Sequence, residues 1–271
     1  MQAPIRVSFI IAARDEQFNI VPCIESVLRV MTSSDEVILV NDGSLDATQS
    51  RAESISDPRL VILRNEVSEG RAASRNAAIL RARGKYLAIQ DADDIALSTR
   101  LEALTLLERD PKLVAAGGQC VAMDPRFGAW RHTHYPEHRN DVRRAFNSGV
   151  MAICHTGSLL RRESVVSVGM YNPNFTRAQD LDLMIRLSNA GDIESIPQDV
   201  VIYTHNVLLP WRYWKSSRDN HDRVIGRAPL SPMKLVARYL AANAKRTAVF
   251  AITHRTSKRR ITEMRLHDRP S

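Results

Sequence analysis

Glycine-rich phosphate loops are missing from this chain. No G-x-G-x-x-G follows the first apolar segment, and no G-x-x-x-x-G-K-[ST] occurs anywhere in the 271 residues. These absences argue against a dinucleotide-dependent dehydrogenase and a P-loop NTPase. A metal ion is then the obvious alternative for holding a phosphate. Cysteine is scarce: Cys23, Cys120 and Cys154 lie far apart in apolar contexts, without metal-site spacing. The odd number gives no disulfide framework, so they read as buried thiols of a cytosolic protein. No apolar run reaches the roughly 18 residues of a membrane-spanning helix. The N-terminus leads straight into a strand, with no cationic start and apolar signal core. Repeats and low-complexity segments are absent too. Acidic residues run short only at the C-terminal end. Residues 210–271 carry 15 Lys+Arg against 4 Asp+Glu, a net +11, whereas residues 1–209 carry 23 against 26, a net −3. This asymmetry points to an anionic partner for the C-terminal segment.

What is present is an alternation of strands and helices. Val7–Ala12, Glu36–Asn41, Leu60–Leu63 and Lys85–Gln90 are short, apolar strand-like runs. Helical segments over Phe18–Met31, Asp46–Ser56 and Ala72–Arg83 separate them. Near-continuous apolar strands joined by helices imply a mostly parallel sheet covered on both faces. The second half is mixed. Leu113–Ala116, Ala152–Leu160 and Val200–Tyr203 read as extended, Asp180–Asn189 as helical, and the His-rich Trp130–Pro136 as irregular. A boundary near Pro210 divides a domain over 1–209 from a basic, largely helical extension over 210–271.

Acidic residues mark the strand ends. Asp91-Ala92-Asp93-Asp94 closes the fourth strand, Asp42 the second, and Asp15-Glu16 follows the first. The carboxyl edge of an open α/β sheet is where ligands bind. Paired acids there can hold a hard divalent cation, which in turn can hold a diphosphate.

Read in order, Val7 through Glu16, Val40-Asn41-Asp42-Gly43-Ser44 through Thr48, Gly70 through Ser74-Arg75-Asn76, and Asp91-Ala92-Asp93-Asp94 resemble the successive signatures of family 2 glycosyltransferases. Gln179-Asp180-Leu181-Asp182-Leu183 with Arg186, and Tyr203-Thr204-His205, resemble that family's later motifs. The resemblance covers about residues 5–206. It implies a GT-A (Rossmann-like) fold, a nucleotide-diphosphate sugar donor (a UDP-sugar foremost), Mg or Mn, and inversion at the anomeric carbon. It places Ala12, Arg14 and Glu16 beside the base pocket and Asp42 on the base. Arg75 goes to the base or the diphosphate. Asp91 goes to the ribose or a metal-bound water, Asp93 to the metal, and His205 to the metal or diphosphate. Asp180 matches the family's catalytic base, and it can equally cap its helix. The sequence departs from the family pattern twice: Asn41-Asp42 stands for Asp-Asp, and Gln179 for the Glu before the base. Gln179 and His155 fall on the acceptor side. His132, His134 and His138 read as a solvated loop rather than a metal cluster.

The C-terminal extension lies outside that resemblance. Pro210–Lys215 interleaves aromatic and basic residues, and Trp211 and Trp214 are of the type that settles at membrane interfaces. Met233–Thr253 reads as a helix with Lys234, Arg238 and Lys245 on one side and Leu235, Val236, Tyr239, Leu240 and Phe250 on another. Such a helix lies on an anionic membrane or packs on the catalytic domain. The expected function is sugar transfer to a saccharide or lipid-linked hydroxyl acceptor in cell-surface polysaccharide or glycolipid assembly. The setting is cytoplasmic, peripheral to the inner membrane face. A non-catalytic nucleotide-sugar binder would be expected to lose Asp93 or Asp180, and both are present. A nucleic-acid binder driven by the basic tail has no recognition motif, so no specific nucleic-acid partner is expected.

Overall fold

The computed structural model describes residues 4–124, 129–204, 211–228, 231 and 233–245. The first half runs β1 (Val7–Ala13), α1 (Ile20–Val30), β2 (Asp35–Asp42), α2 (Thr48–Glu53), β3 (Leu60–Asn65), α3 (Arg71–Arg81) and β4 (Tyr86–Asp91). Each element forms within a few residues of its expected span. In β1, Phe9 and Ile11 point to one face of the sheet and Ile10 to the other, the period-two alternation of a strand. All three are fully buried. Ile10, Ile38, Val40 and Ile89 share one apolar layer with α3, whereas Phe9, Ile11, Val37 and Leu39 share the other with α1. Burial on both faces is why these strands are continuously apolar in sequence.

The second half comprises β5 (Ile95–Ala96), α4 (Leu104–Arg109), β6 (Leu113–Asp124), β7 (Ala129–His132), α5 (Arg139–Asn147), β8 (Leu159–Arg161), α6 (Arg162–Ser167), α7 (Gln179–Ala190), β9 (Asp192–Thr204) and α8 (Trp211–Val224). The strand order is β3-β2-β1-β4-β8-β6-β9-β5, with β7 paired to β6. β3, β2, β1 and β4 are parallel; β8 runs antiparallel to β4 and β6, and β9 parallel to β6. The sheet is therefore mixed: the sequence-continuous first half is wholly parallel, and the second half adds one parallel pair, β6 with β9.

Several expectations shift. Trp130 and His132 are not in an irregular segment but in β7, which forms a hairpin arm on β6. The extended Ala152–Leu160 run forms a strand only from Leu159; earlier residues make a turn whose Gly157 N–H donates to Cys154 O at 3.1 Å. Trp211 and Trp214 are not offered as interface anchors. They stack on each other at 5.8 Å, both pack edge-on against Tyr239, and Trp214 is buried. The amphipathic helix, described over 233–245, also splits differently: Leu235 is buried while Val236 and Leu240 are exposed. α8 lies against the α5–β8 and α6–α7 connections, with His221 Nε2 donating to Gly149 O at 2.8 Å and Arg223 over the Phe175 ring. Among the described residues no helix is long and apolar enough to cross a membrane.

Candidate active site

Parallel register sets the floor of the site. Ala12 pairs with Val40 on one side and Asp91 on the other, so the ends of β1, β2 and β4 lie side by side. Asp42, at the end of β2, is buried and accepts four hydrogen bonds. They come from Asn65 Nδ2 (2.9 Å), Ser68 Oγ (2.8 Å), Glu69 N–H (2.8 Å) and Gly70 N–H (3.0 Å). Burial opposes its ionisation, but these donors outweigh it and hold the carboxyl below its ordinary value. Gly43 follows at φ +63°, where a Cβ would come within 2.6 Å of Ser68 N, so the 66–70 segment closes directly over this turn. Arg14 is exposed and donates to Ser68 Oγ at 2.8 Å, which ties the β1 loop to the same segment.

The acids at the end of β4 are unlike one another. Asp91 is ion-paired with Arg75, and its N–H donates to Thr156 Oγ1 at 3.0 Å. Burial works against its charge, yet Arg75 and Arg71 overcome it and bring the carboxyl down to about 2. Asp93 is only partly exposed and is pushed up to about 7 by burial and by the charges of Asp91 and Glu16. Asp94 is fully buried: Oδ1 accepts from Thr204 N–H at 2.7 Å, while Oδ2 has no partner among the described residues. Burial, with the charges of Asp46 and Asp91, also raises Glu16.

Arg75, expected at the base or diphosphate, is 2% exposed and faces Asp91, with its guanidinium 5.4 Å from the Tyr171 ring centroid. A solvated surface arginine is thereby excluded. Asn76, the other half of the Arg-Asn pair, clasps the Tyr171 backbone, accepting from its N–H at 2.9 Å and donating to its C=O at 2.8 Å. Tyr171 OH lies 2.9 Å from His155 Nε2. Burial, then the nearby Arg75, lowers His155 to about 4, so the ring is neutral at physiological pH. Asp180 sits in the first turn of α7, which follows Ala178 at φ +58°, and its Oδ1 accepts the Leu181 N–H at 2.9 Å. The charge of Asp180 acts on Arg75, His155 and Tyr171 alike, which puts it beside the same cluster. Gln179 is buried, with Oε1 unpartnered among the described residues. Asp182 points elsewhere: Arg186 clamps it and also donates to Met170 O at 2.7 Å.

The structure thus gathers Asp91, Asp93, Arg75, His155 and Asp180, with Glu16 within their field. Asp42 at the end of β2 and Arg14 after β1 sit beside them, both bonded to Ser68. His205 lies outside the described residues. His132 is engaged with Asp199 at 2.6 Å. Among the described residues no three His, Cys, Asp or Glu side chains are placed so that together they could hold a metal ion. The acids at β4 nonetheless fit a hard cation, because Asp94 Oδ2 is orphaned and four carboxylates share one region. Such an ion commonly takes one or two carboxylates and completes its shell with phosphate oxygens and water.

Sequence reading missed Tyr171, Thr156 and Arg100. Arg100 is fully buried and donates to the carbonyls of Ile89 (2.6 Å), Gly157 (3.1 Å), Thr156 (3.1 Å) and Ser158 (3.3 Å). It fixes the turn carrying His155 and Thr156 to the end of β4. No local motif marks these residues, because their partners are 11 to 95 positions away.

Comparison with known proteins identifies the family and the fold. A curated glycosyltransferase from Haemophilus influenzae is 28% identical over 212 residues, covering 73% of this chain and 64% of the relative. This chain therefore spans less than two thirds of that relative's length. The amylovoran biosynthesis glycosyltransferase AmsE of Erwinia amylovora is 27% identical over 214 residues, covering 75% of this chain and 79% of the relative. Two solved structures share the fold. Staphylococcus aureus TarS residues 1–349 in complex with UDP superposes at a TM-score of 0.63 and 16% identity, covering 87% of this chain and 70% of that one. The mannosyltransferase PcManGT of Pyrobaculum calidifontis, in complex with GDP-Man and Mn2+, superposes at 0.60 and 20% identity, covering 98% and 83%. The glycosyl transferase family 2 model matches residues 8–169. The fold is GT-A, and the chain belongs to glycosyl transferase family 2.

Proposed function

We propose that this glycosyltransferase moves one sugar, with inversion, from a nucleotide-diphosphate donor to a hydroxyl acceptor. The observation that carries this reading is the opposition of two acidic groups around Arg75, Tyr171 and His155. Asp91 and Asp93 stand at the sheet edge, and Asp180 stands at the start of α7. In a single displacement the acceptor oxygen bonds to the anomeric carbon as the bond from that carbon to the phosphate oxygen breaks. The electron pair leaves with the diphosphate and the acceptor proton passes to Asp180. A positioned carboxylate contributes about 10²- to 10⁴-fold in such a step. His155 is less suited to the role, because Tyr171 already engages its Nε2.

Asp93, with Asp91 beside it, would hold Mg or Mn, which supplies Lewis-acid stabilisation of the leaving diphosphate when bound. Asp42 and the loop it grips would border the base, with Ala12, Arg14 and Glu16 alongside. A UDP-sugar is the favoured donor, by analogy with TarS in its UDP complex. The likeness to AmsE supports a role in cell-surface polysaccharide or glycolipid assembly, with a saccharide or lipid-linked acceptor. The +11 balance of residues 210–271 supports peripheral attachment of this catalytic domain to an anionic membrane surface. The test separates binding from chemistry. Asp93→Ala is expected to abolish Mn-dependent binding of a nucleoside diphosphate in calorimetry. Asp180→Asn is expected to keep that binding and lower turnover about 10²-fold or more. Equally tight binding with and without chelator, or near-normal turnover of Asp180→Asn, rejects the corresponding assignment.

A further inference from the structure

The helix over 233–245 has two apolar faces, and the described residues cover one. Leu235 is 7% exposed, and Tyr239 packs edge-on against Trp211 and Trp214 with centroids 5.0 and 5.5 Å away. The opposite face consists of Met233, Val236, Ala237, Leu240, Ala241 and Ala244, all exposed. Met233 is 82%, Val236 46% and Leu240 61% exposed. At the helical repeat these six side chains span an arc of about 140°. Lys234, Arg238 and Lys245 line one border of the arc, between it and the buried face. No acidic residue occurs within 233–245.

We infer that this face is a membrane-surface docking helix, with Met233, Val236 and Leu240 as its inserting side chains and Lys234, Arg238 and Lys245 as its headgroup contacts. The occupant is an anionic bilayer. An acid-free helix with a continuous apolar arc and a basic border has the composition of an interfacial helix lying in the plane of the headgroups. Charge complementarity favours lipid phosphate, because the chain beyond position 245 adds seven Lys/Arg against two Asp/Glu. The inner face is already filled by the aromatic trio, so the helix can present its outer face without unfolding. Trp211 and Trp214 serve here as the seat of the helix rather than as anchors. The inference rests on the membrane setting given under the proposed function and assigns that setting to particular side chains.

Vesicle sedimentation of the full chain tests it. The probes are phosphatidylglycerol-containing and pure phosphatidylcholine vesicles, at low and high salt. Wild type is expected to pellet with the anionic vesicles at low salt. Met233→Glu/Leu240→Glu is expected to lower that partition about tenfold or more by losing apolar insertion. Lys234→Gln/Arg238→Gln is expected to weaken binding and flatten its salt dependence. Both variants are expected to keep Mn-dependent UDP binding, since neither touches Asp91 or Asp93. Failure of wild type to pellet at low salt overturns the inference, as does equal pelleting of the glutamate variant. A dimer in light scattering that the glutamate variant dissolves, with vesicle binding unchanged, also overturns it and assigns the face to a second copy. Vesicle binding of wild type that the glutamate variant loses, without UDP binding by either, leaves the helix inference standing and rejects the donor reading instead.

Discussion

The proposed donor side and the proposed acceptor side of the site are built in different ways. On the proposed donor side Ala12, Asp42 and Asp91 sit at or near the ends of separate parallel strands, and the register Val40–Ala12–Asp91 brings those ends together. The acceptor side has no such frame. His155 lies in a turn, Tyr171 in a loop and Asp180 at a helix start, and side chains from distant elements tie them in place. Asn76 clasps Tyr171 across 95 positions, and Arg100 gathers the carbonyls of 156–158. A parallel sheet edge can be specified locally, by an apolar run ended with an acid. A cluster of turns needs buried polar crosslinks to hold its shape.

The two buried arginines give the largest test of this contrast. Arg75 neutralises Asp91, so Arg75→Met leaves a partly buried carboxylate with Arg71 as its remaining nearby cation. A loss of about 3–5 kcal/mol at neutral pH is expected in denaturant titration. Asp91 is depressed to about 2, so its contribution is present above the unfolded value of 3.8 and is lost as pH falls through 2. The penalty of the variant should therefore shrink towards pH 2. Arg100 serves neutral carbonyls and has no ion pair with a carboxylate among the described residues. Arg100→Met should cost less, about 1–3 kcal/mol. A larger loss for Arg100→Met than for Arg75→Met at pH 7 would break the distinction between a charge-paired donor edge and a carbonyl-held acceptor turn.

A smaller effect sharpens the same comparison through pH. Asp93 is raised to about 7, so between about pH 4 and 7 the folded protein holds a proton that the unfolded chain has released. Stability on the donor side falls as pH rises through that window. His155 is lowered to about 4, so between about pH 6.5 and 4 the unfolded chain takes up a proton that the folded protein refuses. Stability on the acceptor side falls as pH falls. In chelator, Asp93→Asn is expected to raise the melting temperature over wild type at pH 8 and to leave it unchanged near pH 4. His155→Gln is expected to flatten the decline between pH 6.5 and 4. Slopes of the same sign for both variants would refute the assignment of opposite burdens to the two sides.

This asymmetry also explains what could be read in advance. The first four strands, their helices and the acids at their ends were legible because apolar periodicity and turn chemistry are local. The Arg75-Asn76 pair was legible as a motif, but its partners were not. Nothing near Arg75 says that it is buried on Asp91, and nothing near Asn76 points to Tyr171. β7 was hidden because a short arm on an existing strand needs no apolar alternation of its own. Which apolar residues of 233–245 face inward was not legible for a related reason. Periodicity separates apolar from basic sides of a helix, but it does not say which part of an apolar arc the aromatic seat of Trp211 and Trp214 will cover.

The smallest expected effect concerns the two acids of α7. Asp180 and Asp182 are two positions apart and equivalent in chemical type, so only their surroundings separate them. Asp182 is held by Arg186, four residues on, which also anchors the carbonyls of Val168 and Met170 and so fixes the loop leading to Tyr171. Both partners are partly exposed, so solvent screens the pair and its net worth is below about 1 kcal/mol. Asp182→Asn keeps the side chain's shape and one acceptor oxygen for Arg186. A turnover loss below about tenfold is expected, carried by small displacement of Tyr171 and His155 rather than by chemistry. Asp180→Asn removes the proposed proton acceptor itself. Steady-state kinetics on the two variants against one acceptor therefore read the difference between a positioning carboxylate and a reacting one. If Asp182→Asn loses as much turnover as Asp180→Asn, the base belongs at Asp182 and Asp180 returns to shaping the first turn of α7.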